Sequence, residues 1–177
     1  HSALRLRADE LLLVDGIDIT AQVHIQRKRM LDFVDSVHVG EWLGYTGKQI
    51  TDIVNIGIGG SHLGPEMVVQ ALAPYRKKGI RTHFLANIDA DGLNLMLNSL
   101  DPEQTLFVVV SKSFSTLETL LTAKAARDWL VQGVGMEQAV SRHFVAISSQ
   151  VERAQEFGID PNNVFAMWDW VGGRYSL

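Results

Sequence analysis

Three short stretches of this sequence place glycines, hydroxyls and a cation at spacings suited to holding an anion. The first is Gly57-Ile58-Gly59-Gly60-Ser61-His62-Leu63-Gly64. Glycines let a backbone turn sharply and approach a ligand, and a helix opening there would offer amide hydrogens to negative charge. The second is Ser111-Lys112-Ser113-Phe114-Ser115-Thr116, where every side chain but Phe114 can donate a hydrogen bond. Hydroxyls and amides at a helix start suit a phosphate dianion, with Lys112 adding charge. The third is Gly172-Gly173-Arg174, in which adjacent glycines precede a guanidinium whose fixed fork matches oxyanions.

Each stretch also has a plainer reading. A dinucleotide fingerprint would need glycine where His62 stands, and a Walker A loop would need Lys-Ser/Thr where Pro65-Glu66 follow Gly64. The first stretch is therefore a phosphate loop of another type, or a tight structural turn. In the second, Ser115 with Glu118 three residues on can form a capping box, which is compatible with an anion site beside it. The basic run Arg27-Lys28-Arg29 reads as a solvated helix face. His24, His38, His83 and His143 fall in helix patterns or at strand edges and are expected to be structural or superficial. Glu41, Glu66 and Glu118 are carboxylates to which the sequence gives no base's environment.

Placing the three stretches requires a scaffold, and from Asp52 onward its rhythm is regular. Short apolar, β-branched runs occur at 53–56, 82–86, 106–110, 144–147 and 164–167, with helical patterns at 63–72, 93–100, 117–130 and 150–157 between them. Strands apolar on both sides must be covered on both faces, and alternation with helices implies right-handed crossovers and a parallel, doubly wound sheet. Ligands of such sheets bind beyond the carboxyl ends of the strands, where all three stretches fall. Residues 1–50 read differently. An apolar run at 11–14 closes on Asp15-Gly16, a hairpin-turn signal, and Asp18 or Thr20 can cap a helix reaching about Val39. Its stripe of Val23, Met30, Val34 and Val37 is expected to face the main domain or a partner subunit, leaving Arg27, Lys28 and Asp35 outward. The expected organisation is a hairpin-and-helix segment, 1–50, packed on an α/β domain, 51–177, that is incomplete on its C-terminal side.

Composition narrows the class. With 177 residues, 46% of them apolar, the chain can bury a sizeable core. A net charge of -4 without clustered basic residues argues against nucleic-acid partners. There is no cysteine, so disulfides and thiolate zinc sites are excluded. No stretch approaches the ~18 apolar residues of a membrane span. Opening at His1-Ser2-Ala3 and closing at Tyr175-Ser176-Leu177, the sequence reads as a piece of a longer chain.

These residues resemble the glucose-6-phosphate isomerase family. The similarity is carried by Ile56-Gly57-Ile58-Gly59-Gly60-Ser61 with Leu63-Gly64-Pro65, by residues 111–116 with Glu118-Thr119, and by Asp169-Trp170-Val171-Gly172-Gly173-Arg174-Tyr175-Ser176. Tyr45-Thr46-Gly47-Lys48 and the opening His1-x-Ala3-Leu4-Arg5 match in the same order. The resemblance implies a sugar-isomerase domain, a three-layer α-β-α sandwich around a five-stranded parallel sheet. It implies interconversion of glucose 6-phosphate and fructose 6-phosphate in the cytoplasm, without metal or organic cofactor, by a homodimer. By position, Ser111, Ser113, Thr116 and the Lys112 backbone would hold the phosphate, assisted by Ser61, with Gly60 against the sugar. Arg174 would stabilise the enediolate, and Gly173 would line the same spot. The family's glutamate base, ring-opening histidine and lysine lie in segments beyond Leu177. This sequence departs from the family in carrying serine at 113 and 115, where threonine is frequent, and His62 where aspartate is frequent. The alternatives are a stand-alone sugar-phosphate-binding regulatory module, disfavoured by the Gly-Gly-Arg-Tyr-Ser ending, and a nucleotide-binding oxidoreductase domain, disfavoured by His62 and Lys112.

Overall fold

The computed structural model describes residues 3–174. The motif residues His1, Tyr175 and Ser176 lie outside the described residues. A two-stranded antiparallel ribbon, β1 (Leu13–Val14) and β2 (Ile17–Asp18), comes first. Asp15 and Gly16 turn it with φ of 50° and 77°, the doubly left-handed geometry that Asp-Gly favours. Asp18 then caps α1 (Ile19–Val39) by accepting from the Ala21 amide, and Gly40 ends the helix at φ 77°.

Five parallel strands follow: β3 (Asp52–Ile56), β4 (Arg81–Leu85), β5 (Thr105–Val110), β6 (Phe144–Ser148) and β7 (Val164–Ala166). Their spatial order is β4-β3-β5-β6-β7. The connecting helices are α2 (Gly60–Ala71), α3 (Ala90–Leu97), α4 (Leu117–Val134), α5 (Val140–His143) and α6 (Val151–Phe157). The expected strands and most helices thus form, with small shifts at their ends. The helix expected at 93–100 begins earlier because Asp89 caps it on the Asp91 and Gly92 amides. The single turn α5 was not anticipated: four residues carry too little periodicity to signal a helix.

Strand side chains alternate between two apolar layers. Val54, Ile56, Phe107, Val109, Phe144 and Ala146 pack with α3, α4 and α6, through Leu97, Leu130 and Ala154 among others. The opposite face, with Ile53, Leu106, Val108, Val145, Ile147 and Phe165, meets α1 at Phe33 and Val37. It also meets α2, whose Val68 and Val69 line a cavity with Ile53. Helices on both faces of a parallel sheet make the three-layer sandwich.

The stripe expected on α1 holds only in part. Val23 and Val37 are buried, whereas Met30 and Val34 are each 42% exposed. Both border an apolar cavity of ≈ 270 Å³ between α1 and the sheet that Phe33 and Val108 also line. The basic run is not simply solvated. Arg27 donates to the Leu4 carbonyl at 2.5 Å. Arg29 reaches the carbonyls of Asn162 (3.0 Å) and Val164 (3.3 Å) and lies over the Phe165 ring. Lys28 alone faces outward, paired with Asp32. Helix α1 also fixes the chain beyond β7, since Trp168 Nε1 donates to Gln22 Oε1 at 2.9 Å and Trp168 stacks on Trp170.

Candidate anion-binding site at the carboxyl edge of the sheet

Strand β3 runs directly into the glycine loop. Gly59 takes φ 61° and ψ −118°, a conformation costly to any residue with a Cβ, and α2 starts at the next residue. The loop is tied to its own strand by Asn55, whose Nδ2 donates to the Ser61 carbonyl at 3.1 Å. Gly60 is the point of closest approach to the third stretch. A Cβ there would collide with the Gly173 carbonyl and sit 3.6 Å from the Arg174 Cα. First and last loops therefore touch backbone to backbone.

Strand β5 enters the second loop at Ser111. The buried Phe114 ring meets Phe157 of α6 edge-on at 6.0 Å, and Phe114 itself holds φ 45°, a left-handed conformation rare outside glycine. Anchoring by the ring leaves the neighbouring hydroxyls at the surface of the loop. Ser111 is only 3% exposed, and its Oγ meets no hydrogen-bond partner among the described residues. A buried hydroxyl without a partner is costly, and a ligand oxygen would relieve that cost.

Ser61, Ser111, Lys112, Ser113 and Thr116 line one cavity of ≈ 330 Å³. A second cavity of ≈ 410 Å³ is lined by Gly60, Ser61, Lys112, Gly172 and Gly173. Sharing Ser61 and Lys112, the two form one continuous edge site, so the three stretches converge as the strand-end rule requires. Arg174 is exposed at the rim; it borders Gly60 through its backbone and is not among the residues lining either cavity. Two polar lining residues were missed as site candidates, Thr119 and Asn55. Thr119 lies one helical turn after Thr116 on α4, a spacing that could have flagged it.

Two details depart from the sequence reading. The capping box does not form: the N-cap of α4 is Thr116, without a side-chain cap bond, and Ser115 Oγ donates instead to Ser113 Oγ at 2.8 Å. The first turn of α4 is therefore not closed by a side chain of its own. The ammonium of Lys112 donates to the Asp169 carbonyl at 2.5 Å and points toward Val171, so it staples the post-β7 chain to the second loop. Backbone carbonyls are thus the bonding partners of its charge among the described residues.

The carboxylates stand apart from both cavities. Glu66 pairs with His62 at 3.0 Å on α2, Glu118 is exposed on the first turn of α4, and Glu41 follows the C-terminus of α1. His62 also meets the Phe84 ring edge-on at 5.8 Å, which gives it a place on the α2–β4 contact. Among the described residues no group of three His, Asp or Glu is placed to hold a metal ion, and no helix is long and apolar enough to cross a membrane.

Comparison with known proteins gives the same picture. All of residues 1–177 match the phosphoglucose isomerase family. The chain is 54% identical over its whole length to glucose-6-phosphate isomerases of Marinomonas sp. (strain MWYL1) and Hahella chejuensis (strain KCTC 2396). It spans 32% of each, about a third of the length of these relatives. The crystal structure of a glucose-6-phosphate isomerase from Chlamydia trachomatis superposes with a TM-score of 0.72 at 31% identity, over 98% of this chain and 31% of that one. A hypothetical protein from Thermus thermophilus superposes with a TM-score of 0.66 at 32% identity, over 86% of this chain and 33% of that one. A glycine loop, a hydroxyl loop and a Gly-Gly-Arg loop on one edge of a five-stranded parallel sheet, matched from the first residue to the last, make this chain a member of the phosphoglucose isomerase family.

Proposed function

We propose that this chain is the phosphate-holding part of a glucose-6-phosphate isomerase, which interconverts glucose 6-phosphate and fructose 6-phosphate. The observation that carries the reading is the buried, unpartnered Ser111 hydroxyl on a cavity that Ser61, Ser113 and Thr116 also line. In this reading Ser61, Ser111, Ser113 and Thr116 bind the phosphate oxygens, together with the Lys112 backbone. Gly60 and Gly173 form a floor against which the sugar carbons lie, and Arg174 stabilises the negative oxygen of the enediolate. A proton must also move between neighbouring carbons, which requires a base within hydrogen-bond reach. Among the described residues no carboxylate lines either cavity, so the base is assigned to a part of the intact protein outside these residues. The same reading puts the intact protein in the cytoplasm as a homodimer.

The test is titration of 6-phosphogluconate into the intact protein and into its Ser111→Ala, Thr116→Ala double variant. Each lost hydrogen bond to a charged group is expected to cost about 1.5–3 kcal/mol. Equal affinity in the two proteins would remove the phosphate assignment. Residues 1–177 alone are expected to show severely reduced turnover of fructose 6-phosphate in a coupled assay; turnover near that of the intact enzyme would place a base among them.

A further inference from the structure

We propose that the turn after β6 and the start of α6, through Ser148, Ser149 and Arg153, positions the 111–116 loop for its anion; this rests on the phosphate-binding reading above. Three donors converge on the Lys112 carbonyl. They are the Ser149 amide at 3.0 Å, Ser149 Oγ at 2.8 Å and Ser148 Oγ at 3.0 Å. The rotor of Ser148 is itself set, because its oxygen accepts from the Gln150 amide at 3.0 Å and its hydrogen is thereby left for Lys112. One residue further along the loop, the Ser113 carbonyl accepts from Arg153 Nη1 at 2.8 Å.

Two successive carbonyls of the loop are thus held toward α6. In a planar trans peptide the carbonyl and the following N–H point in opposite directions. Fixing the Lys112 carbonyl toward Ser148 and Ser149 sets the Ser113 amide in the opposite direction, and Ser113 lines the cavity with Ser111 and Thr116. Helix α6 also holds the Phe114 ring through Phe157, at the residue whose left-handed backbone bends the loop. Donors fixed before the ligand arrives do not need to be ordered by it, so the clamp acts on binding. Ser148, Ser149 and Arg153 are positioning residues; none of them is required to touch the anion.

The experiment compares the intact protein with Arg153→Ala, Arg153→Lys and a Ser148→Ala, Ser149→Ala double variant. Fructose 6-phosphate serves as substrate and inorganic phosphate as competing ligand. Weakened binding common to ground state and transition state raises KM and leaves kcat. The expected result is a rise of about tenfold in KM and in the phosphate inhibition constant for Arg153→Ala and for the double variant, the scale of one hydrogen bond to a charged group. Arg153→Lys, which keeps a charged donor, should recover part of the loss. Unchanged constants would overturn the inference, as would a fall in kcat and thermal midpoint with KM intact. Arg153 is exposed, so its variants remain readable if the serine pair fails to fold. Ser111→Ala run in parallel separates the two levels. If it leaves phosphate affinity unchanged, the phosphate reading itself fails; if it alone weakens phosphate, only the clamp fails.

Discussion

The two ends of the parallel sheet carry different polar residues and partner them differently, charged and imidazole groups at one end and hydroxyls at the other. At the amino end, the buried charged and imidazole groups are fully partnered, although the Thr82 hydroxyl of β4 is buried without a partner among the described residues. Asp52, 1% exposed, accepts from Arg81, His83 and Thr51, at 2.8, 2.8 and 2.9 Å. The fully buried His143 bridges Thr105 and Tyr45, with Nδ1 2.7 Å from the Thr105 carbonyl and Nε2 accepting from the Tyr45 amide at 2.8 Å. Lys48 reaches both Asp101 and Glu103. At the carboxyl end, the Ser111 hydroxyl is buried without a partner and backbone is held in left-handed conformations at Gly59, Phe114 and Gly173. Satisfied polar groups hold strands in register, while an unsatisfied hydroxyl in a strained, cavity-lining loop is what the anion site proposed above requires. Tyr45-Thr46-Gly47-Lys48, one of the motifs behind the resemblance, lies at the amino end, where Tyr45 and Lys48 are bonded to His143, Asp101 and Glu103, and so reads as structural.

The contrast can be broken most severely from the amino end. Replacing His143 by alanine removes a buried ring and strands the Thr105 carbonyl and Tyr45 amide, a loss of about 3–5 kcal/mol of stability. Chemical denaturation should show it, while the molecules that remain folded should bind 6-phosphogluconate with unaltered affinity. A parallel loss of affinity would mean that the two ends are not separable.

The next effect should come from the carboxyl end. In Gly60→Ala the new methyl meets the Gly173 carbonyl, so one loop must retreat. We expect about 1–3 kcal/mol of strain, the usual cost of overpacking, felt mainly as weaker sugar-phosphate binding. Alanine tolerated with full affinity would show that the first and third loops need not touch.

The smallest effect is a pH dependence confined to the amino end. Burial, with the nearby Arg142 charge, holds the His143 pKa below its ordinary 6.5 despite the bond to Thr105. The unfolded chain then binds more protons than the folded one below that value. Stability is fully present above pH 6.5 and declines as pH falls toward the folded pKa. For Asp52, burial alone would raise the pKa, but bonds from Arg81, His83 and Thr51 outweigh it and hold it below 3.8. Its contribution is likewise present above pH 3.8 and lost beneath it. Denaturant midpoints measured across this range should lose the upper component in His143→Gln, and a variant that keeps it would assign the slope to another group.

How much of this was legible depended on whether a feature is local. Runs such as 106–110 declare a doubly buried strand, Asp15-Gly16 declares its turn, and Asp18 its cap, since each is decided within a few residues. The meeting of the three loops was legible too, because strand-end topology needs only the order of elements. The partners of Lys112 and Arg153 were not. Lys112 donates to Asp169 and Arg153 to Ser113, pairs joined across the fold with no periodicity to announce them. Ser115 looked like a cap because Glu118 follows at the right spacing, yet a nearer hydroxyl competes for it. Met30 and Val34 show that a stripe predicts apolarity and leaves open how closely it will be covered.

The contact between Gly60 and Gly173 also bears on when the protein becomes competent during folding. The glycine loop follows the first sheet strand, while its counterpart follows the last, so their meeting closes a loop spanning nearly the whole sheet sequence. Contacts so distant along the chain form late, after the entropy of ordering the intervening segments has been met. On the reading proposed above, a nascent chain can form the bonds of Ser148, Ser149 and Arg153 to the hydroxyl loop once β6 and α6 are in place, while the Lys112 staple to Asp169 comes later. The contact of Gly60 with Gly173 must wait for β7 to dock, so on the proposed reading phosphate capture should precede sugar recognition in the life of each molecule.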